Sequence, residues 1–155
     1  MLPVQWIQLG EIDLCSKGWP KFPVAAKVAG LYRIRLRDGW IYIGQARNLH
    51  HRLYEYRRPT PGVVQEHSIH RAIVLAKGAA IDIFVSEELQ DIKLRCALEE
   101  EEIEKAKVAG ATLLNGGQNV EAYRLQLDME YHERELKTLR AKLSELQLKD
   151  ESYGD

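Results

Sequence analysis

Residues 31–43 constrain this chain more than any other stretch. Two short segments of alternating character, Leu31 to Leu36 and Trp40 to Ile43, flank Arg37-Asp38-Gly39. Aspartate followed by glycine between two such runs is a hairpin signal. The length of the loop then decides the faces of the ribbon, because side chains alternate along a strand. A two-residue loop at Asp38-Gly39 would set Tyr42 opposite Arg35 and leave Tyr32 on the other face. A three-residue loop, a type I turn closed by Gly39 in the left-handed region, sets Tyr42 opposite Ile34 and brings both tyrosines to one face. Gly39 at the third position suits the longer loop, which is the one expected.

Around this hairpin the chain reads as an α/β domain with an appendage. Residues 1–29 hold three prolines and two tryptophans without clear period, and read as an N-terminal wrap with one short strand, Gln5 to Leu9. After the hairpin a helix is expected from about Ala46 to Tyr56. Pro59-Thr60-Pro61-Gly62 breaks the chain. Val63 to Lys77 is helical in spacing, Ala80 to Ser86 alternates as a half-buried strand, and Leu89 to Ala109 is a second strong helix ended by Gly110. Ala111 to Leu114 reads as a short further strand before the boundary at Asn115-Gly116-Gly117. The fold expected is α/β: a small, mainly antiparallel three-stranded sheet flanked by helices, spanning 30–117.

Residues 118–150 differ in kind. Ala122, Leu125, Met129, His132, Leu136, Leu139, Leu143 and Leu146 recur at alternating spacings of three and four. This is a coiled-coil seam, with His132 its one polar member, and it predicts a homodimer through 122–146. In a parallel pair Glu135 would attract Arg140 of the second copy, whereas Asp128 would repel Glu133. The other reading is an amphipathic helix folded back on the domain. Residues 151–155 form a short tail.

Net charge is -1, which by itself does not describe a nucleic-acid binder. Its distribution does more. Lys27 to Arg71 carries nine Lys or Arg against three acids, and Glu87 to Lys107 carries eight acids against four bases. A basic hairpin and helix can face phosphates while the molecule stays near neutral. No run of eighteen apolar residues exists, so no membrane span is expected, and no secretory signal is evident. Cys15 and Cys96 lack metal-ligand spacing and read as thiols of a reducing cytoplasm, in a bacterial or phage-encoded protein. His67 and His70 stand three apart, but no second ligand pair completes a zinc site.

Gly30-Leu31-Tyr32 and, ten residues on, Tyr42-Ile43-Gly44, followed in order by Arg52, Glu99 and Asn115, resemble the GIY-YIG nuclease family over about 30–115, a little over half the chain. The resemblance implies a metal-dependent DNA endonuclease using Mg2+ or Mn2+. It implies Glu99 as metal ligand, four residues before the aliphatic Ile103, and Arg52 as clamp on the scissile phosphate, where a planar fork suits the oxygens. Tyr56 stands four residues after Arg52, where the repair branch of the family has tyrosine and others histidine. Tyr32 and Tyr42 are candidates for general base and helper; the resemblance favours Tyr32, and the sequence does not separate them. Asn115 closes the module and is expected to tie the last strand to the hairpin. Gln45 departs from the repair branch, which has lysine there. Arg33, Arg35, Gln45, Arg47, His51, Arg57 and Arg58 are the expected nucleic-acid contacts, with His67 near the same path. Two other functions compete with this one: a single-strand- or structure-selective nuclease, and a non-catalytic nucleic-acid binder that keeps the fold.

Overall fold

The computed structural model of the chain describes residues 2–153, with the side chains of 117–121, 124, 127 and 150–153 left out. Two compact units are present, Met1–Val120 and Glu121–Asp155. The first is built on a five-stranded antiparallel sheet in the order β2-β1-β5-β3-β4. Its strands are β1 (Ile7–Leu14), β2 (Pro20–Lys21), β3 (Gly30–Leu36), β4 (Ile41–Ala46) and β5 (Ala79–Val85). Helices α1 (Leu49–Arg57) and α2 (Val64–Leu75) follow β4, and α3 (Ile92–Val108) follows β5 after a short 3-10 turn.

The three-stranded sheet expected from the sequence is therefore corrected to five. The N-terminal segment adds two strands, with β1 paired to β5. A register shift between Gln8 and Gly10 inserts an extra residue into β1, and such a bulge breaks the two-residue period by which a strand is recognised. The segment before Asn115, expected as a strand, makes one parallel bridge instead, Ile41 with Leu113. Helix α1 begins at Leu49, not near Ala46, because β4 runs on to Ala46 opposite Gly30 and Asn48 then caps the helix, accepting from the His51 backbone N–H at 3.1 Å.

The β3–β4 hairpin has the three-residue loop. The Leu36 N–H donates to Trp40 O at 2.8 Å, the Gly39 N–H donates to Leu36 O at 3.0 Å, and Gly39 has φ +98. Tyr42 lies opposite Ile34 and Tyr32 opposite Gly44, as the odd loop requires. One face of the sheet thus carries Tyr32, Ile34, Tyr42 and Ile81, and it meets α1 and α2 through buried Leu49, Leu53, Tyr56, Ile69 and Ile73. The other carries Leu31, which packs with Leu89 and with Leu98 of α3.

Arg33 and Arg35 also lie on that second face, and both close on Asp82 of β5. Arg35 binds it in two-fold fashion, at 2.7 and 3.1 Å, and Arg33 at 2.8 Å, with the Trp6 ring 4.8 Å from the Arg33 guanidinium carbon. Burial works to raise the Asp82 carboxyl, but the two guanidinium groups outweigh it and hold the carboxyl below its ordinary range.

Because Asp82 is depressed in the folded state, its pairing stabilises the protein above the unfolded value of about 3.9 and is lost as pH falls through the folded value. Asp82→Ala is expected to lower the unfolding free energy by about 2 kcal/mol at neutral pH, less than a fully buried pair because both arginines reach water. Urea unfolding checks this, and the variant should lose less stability than the parent between pH 6 and pH 3.

Candidate active site

Three phenols meet on the face shared by β3, β4 and α1. The ring centroids of Tyr32, Tyr42 and Tyr56 form a triangle with sides of 6.2, 5.9 and 6.4 Å. The Tyr32 and Tyr56 hydroxyls are hydrogen-bonded at 2.6 Å. The Gln65 side chain of α2 donates to the Tyr42 hydroxyl. Gly44 makes room for the cluster: a Cβ there would stand 2.3 Å from the Tyr32 hydroxyl oxygen and 2.4 Å from its Cζ. Gly30 answers to a second close approach, since a Cβ there would stand 2.7 Å from Phe84 O and 2.8 Å from the Leu49 side chain. The two glycines of the tripeptides are thus demands for space.

All three phenols are pushed above the ordinary tyrosine value. For both Tyr32 and Tyr56 burial is the main cause; at Tyr32 the neighbouring phenols add to it, at Tyr56 the Tyr42 phenol adds and the hydrogen bond with Tyr32 opposes, and Arg52 opposes at both. For Tyr42 burial again leads, hydrogen bonds from Tyr56 and Gln65 oppose it, and Glu99 adds to it. Arg52 alone does not bring any of the three phenols down to the ordinary tyrosine value. With all three raised, the phenols are neutral at physiological pH and are able to donate and relay hydrogen bonds.

Arg52 and Glu99 reach this cluster from opposite faces of the sheet. Arg52 projects from α1; burial lowers its pKa, but Tyr32, Tyr56 and Glu55 outweigh that and raise it. Its Nε is 3.6 Å from Glu55, which also pairs with His51 at 2.9 Å. Glu99 comes from α3, partly exposed. Burial raises its carboxyl, Glu100 adds to this, and the Gln45 backbone N–H and Arg52 oppose it. Among the described residues no three potential ligands cluster as a closed metal site, so Glu99 stands as a single carboxylate.

Asn115 clamps the middle of β4. Its Oδ1 accepts from the Ile43 N–H at 2.9 Å and its Nδ2 donates to Ile43 O at 2.6 Å. The expected phosphate contacts scatter. Arg33 and Arg35 are committed to Asp82 on the face away from the phenols, and the Gln45 side chain accepts from buried Arg95 of α3. Arg47, His51, Arg57 and Arg58 remain exposed. Sequence reasoning missed Gln65, Arg95 and Glu102. Gln65 is exposed at the start of α2, but it shares a four-residue spacing with buried Ile69 and Ile73, which places it on the side of the helix that faces the sheet. Glu102 is buried and accepts from Trp6 at 3.3 Å, while Ile103 beside it is half-buried.

Gly44→Ala should drive its methyl into a phenol that is only 1% exposed and has nowhere to go. The expected loss is about 2 kcal/mol of stability, together with disruption of the phenol triangle. Thermal unfolding and near-ultraviolet circular dichroism of the tyrosines check both.

No protein-family model matches the chain, and none of the curated proteins does. Among solved structures, a mutant of EndoII from bacteriophage T4 is similar at 26% identity and a TM-score of 0.40, over 50% of this chain and 64% of that one. The chain thus spans less than two thirds of that protein's length.

Proposed function

We propose that the chain is a metal-dependent endonuclease that hydrolyses DNA phosphodiester bonds, of the GIY-YIG type its motifs resemble. The observation that carries this reading is that Arg52, on α1, lies within electrostatic reach of all three phenols, and Glu99, on α3, within reach of Tyr42 and of Arg52. Phosphodiester hydrolysis asks for positive charge on the phosphate oxygens, a held water and a route for its proton. Arg52 binds the scissile phosphate through its fork. Tyr42 is the phenol whose surroundings include Glu99, and it is less sealed than Tyr32, so it holds the attacking water. Tyr32 and Tyr56 fix its orientation through their shared hydrogen bond.

The residues fit magnesium or manganese. A lone carboxylate that burial makes reluctant to ionise gains from a cation, and a single hard oxygen ligand leaves coordination positions to water and phosphate. Such a cation, when bound, supplies charge to the phosphate and lowers the pKa of a water. A non-catalytic binder would have no use for a carboxylate in this place.

The same reading includes a homodimer through α4 (Gly117–Tyr153). Leu125, Met129, Leu136, Leu139, Leu143 and Leu146 are between 49 and 64% exposed, a continuous apolar seam. A second copy of the helix would cover it with a/d packing and put two single-strand cuts within one assembly. Among the described residues no helix is long and apolar enough to cross a membrane.

Glu99→Gln is expected to lower magnesium-supported cleavage of DNA by at least about a hundredfold while leaving DNA binding intact. Cleavage assays beside gel-shift titrations check this, and full activity at saturating magnesium would reject Glu99 as the ligand. Sedimentation of the full chain should give a dimer, and Leu136→Glu with Leu143→Glu should give a folded monomer. A parent chain that sediments as a monomer at high concentration would reject the coiled coil.

A further inference from the structure

Away from the phenols lies a cleft of about 460 Å³ lined by Trp19, Pro20, Arg57, Arg58, Pro59 and His70. Trp19 closes the turn between β1 and β2, where the Cys15 N–H donates to Trp19 O and the Gly18 N–H donates to Cys15 O, both at 2.8 Å. That turn holds the indole 63% exposed, although a side chain of this size is ordinarily well covered. Arg57 and Arg58 end α1. Pro59 disfavours helical geometry at the residue before it, so Arg58 leaves the helix at φ -129, ψ 85. The His70 Nδ1 lies 2.7 Å from the Tyr56 carbonyl, which can only accept, so this nitrogen carries the proton. No carboxylate lines the cleft, and neither arginine makes an ion pair among the described residues.

Basic residues in the last turn of a helix also serve its carbonyl end, which accounts for Arg57. It does not account for a bare indole facing two arginines. A flat aromatic wall beside two guanidinium groups and no acid is complementary to a nucleotide, whose base stacks and whose phosphates are anionic.

We propose that this cleft binds an unpaired nucleotide of the DNA substrate, with its base stacked on Trp19 and its flanking phosphates held by Arg57 and Arg58. The inference rests on the nuclease reading and names its substrate class: DNA with a single-stranded segment beside the cut. Helical geometry supports the unpaired state. Arg57 follows Arg52 by five residues, roughly 7.5 Å along the helix and about 140° around it. A strand that reaches both must wrap the end of α1 within about two nucleotide steps. A flexible single strand does this, whereas duplex DNA is stiff over about 150 base pairs.

The test is binding without metal, by fluorescence anisotropy, of a short oligothymidylate and of a blunt duplex to the full-length protein. Trp19→Ala should weaken the oligothymidylate by about tenfold and leave the duplex unchanged, and Trp19→Phe should restore most of the loss. Equal binding of the single strand by parent and Trp19→Ala, or an equal loss for both DNAs, would overturn the proposal. A parent that binds no oligothymidylate would overturn it too. Cleavage with magnesium is read separately. Trp19-dependent binding in a protein that cuts no DNA keeps the cleft and removes the nuclease reading. Cleavage of DNA that is indifferent to Trp19 in binding and rate does the reverse.

Discussion

The register of the β3–β4 hairpin is the constraint on which the rest of the candidate site depends. Three residues between Leu36 and Trp40 keep Tyr32 and Tyr42 on one face, and a slip of one residue would send Tyr42 to the face of Arg33 and Arg35. The same register sets Gly44 directly across from Tyr32, so the one position in β4 without a side chain lies under the largest ring of β3. Only then can the Tyr32 hydroxyl reach that of Tyr56 on α1. A hydrogen bond between sheet and helix is thus fixed by the number of residues in a turn that lies outside the cluster.

The sheet separates two kinds of polar chemistry. On the α1–α2 face the phenols are sealed enough that their ionisation is disfavoured, and the one buried acidic side chain of α2 among the described residues, Glu66, accepts from Thr60. On the α3 face stand full charges, Arg33, Asp82 and Arg35, paired so that Asp82 is buried without being left alone. Arg52 on α1 and Glu99 on α3 are the charges that act on the phenols. A charge that is not spent on its own fold is one that a substrate can use, and Arg52, 3.6 Å from Glu55 and hydrogen-bonded to the Tyr56 phenol, fits that description better than Arg33 or Arg35, which are closed on Asp82.

Local rules made the hairpin and its loop legible, since Asp-Gly chemistry and strand alternation act over a few residues. What escaped was non-local. A short strand was legible from Gln5 to Leu9, but β1 runs from Ile7 to Leu14 past a bulge at Gln8–Gly10 that breaks the period, and its pairing with β5, about seventy residues away, leaves no local mark. Arg33 and Arg35 read as phosphate contacts because an alternating strand shows basic residues on one side without showing what they face. Their partner, Asp82, sits between Ile81 and Ile83, where alternation alone predicts solvent. Glu102 was hidden within a run of four glutamates, from which periodicity picks out the core side but not the carboxylate that Trp6 will bind.

Asn115 has a consequence outside chemistry. β4 is the last strand of the sheet on its side, and an uncovered strand invites pairing with another chain. The Asn115 side chain occupies both backbone groups of Ile43, while the Thr112 carbonyl and the Leu114 N–H take those of Ile41. The far side ends in β2, two residues long and opening with a proline that has no N–H to offer. The β4 flank is thereby closed to strand addition, whereas β2 covers only Asp13 and Leu14 of the eight residues of β1.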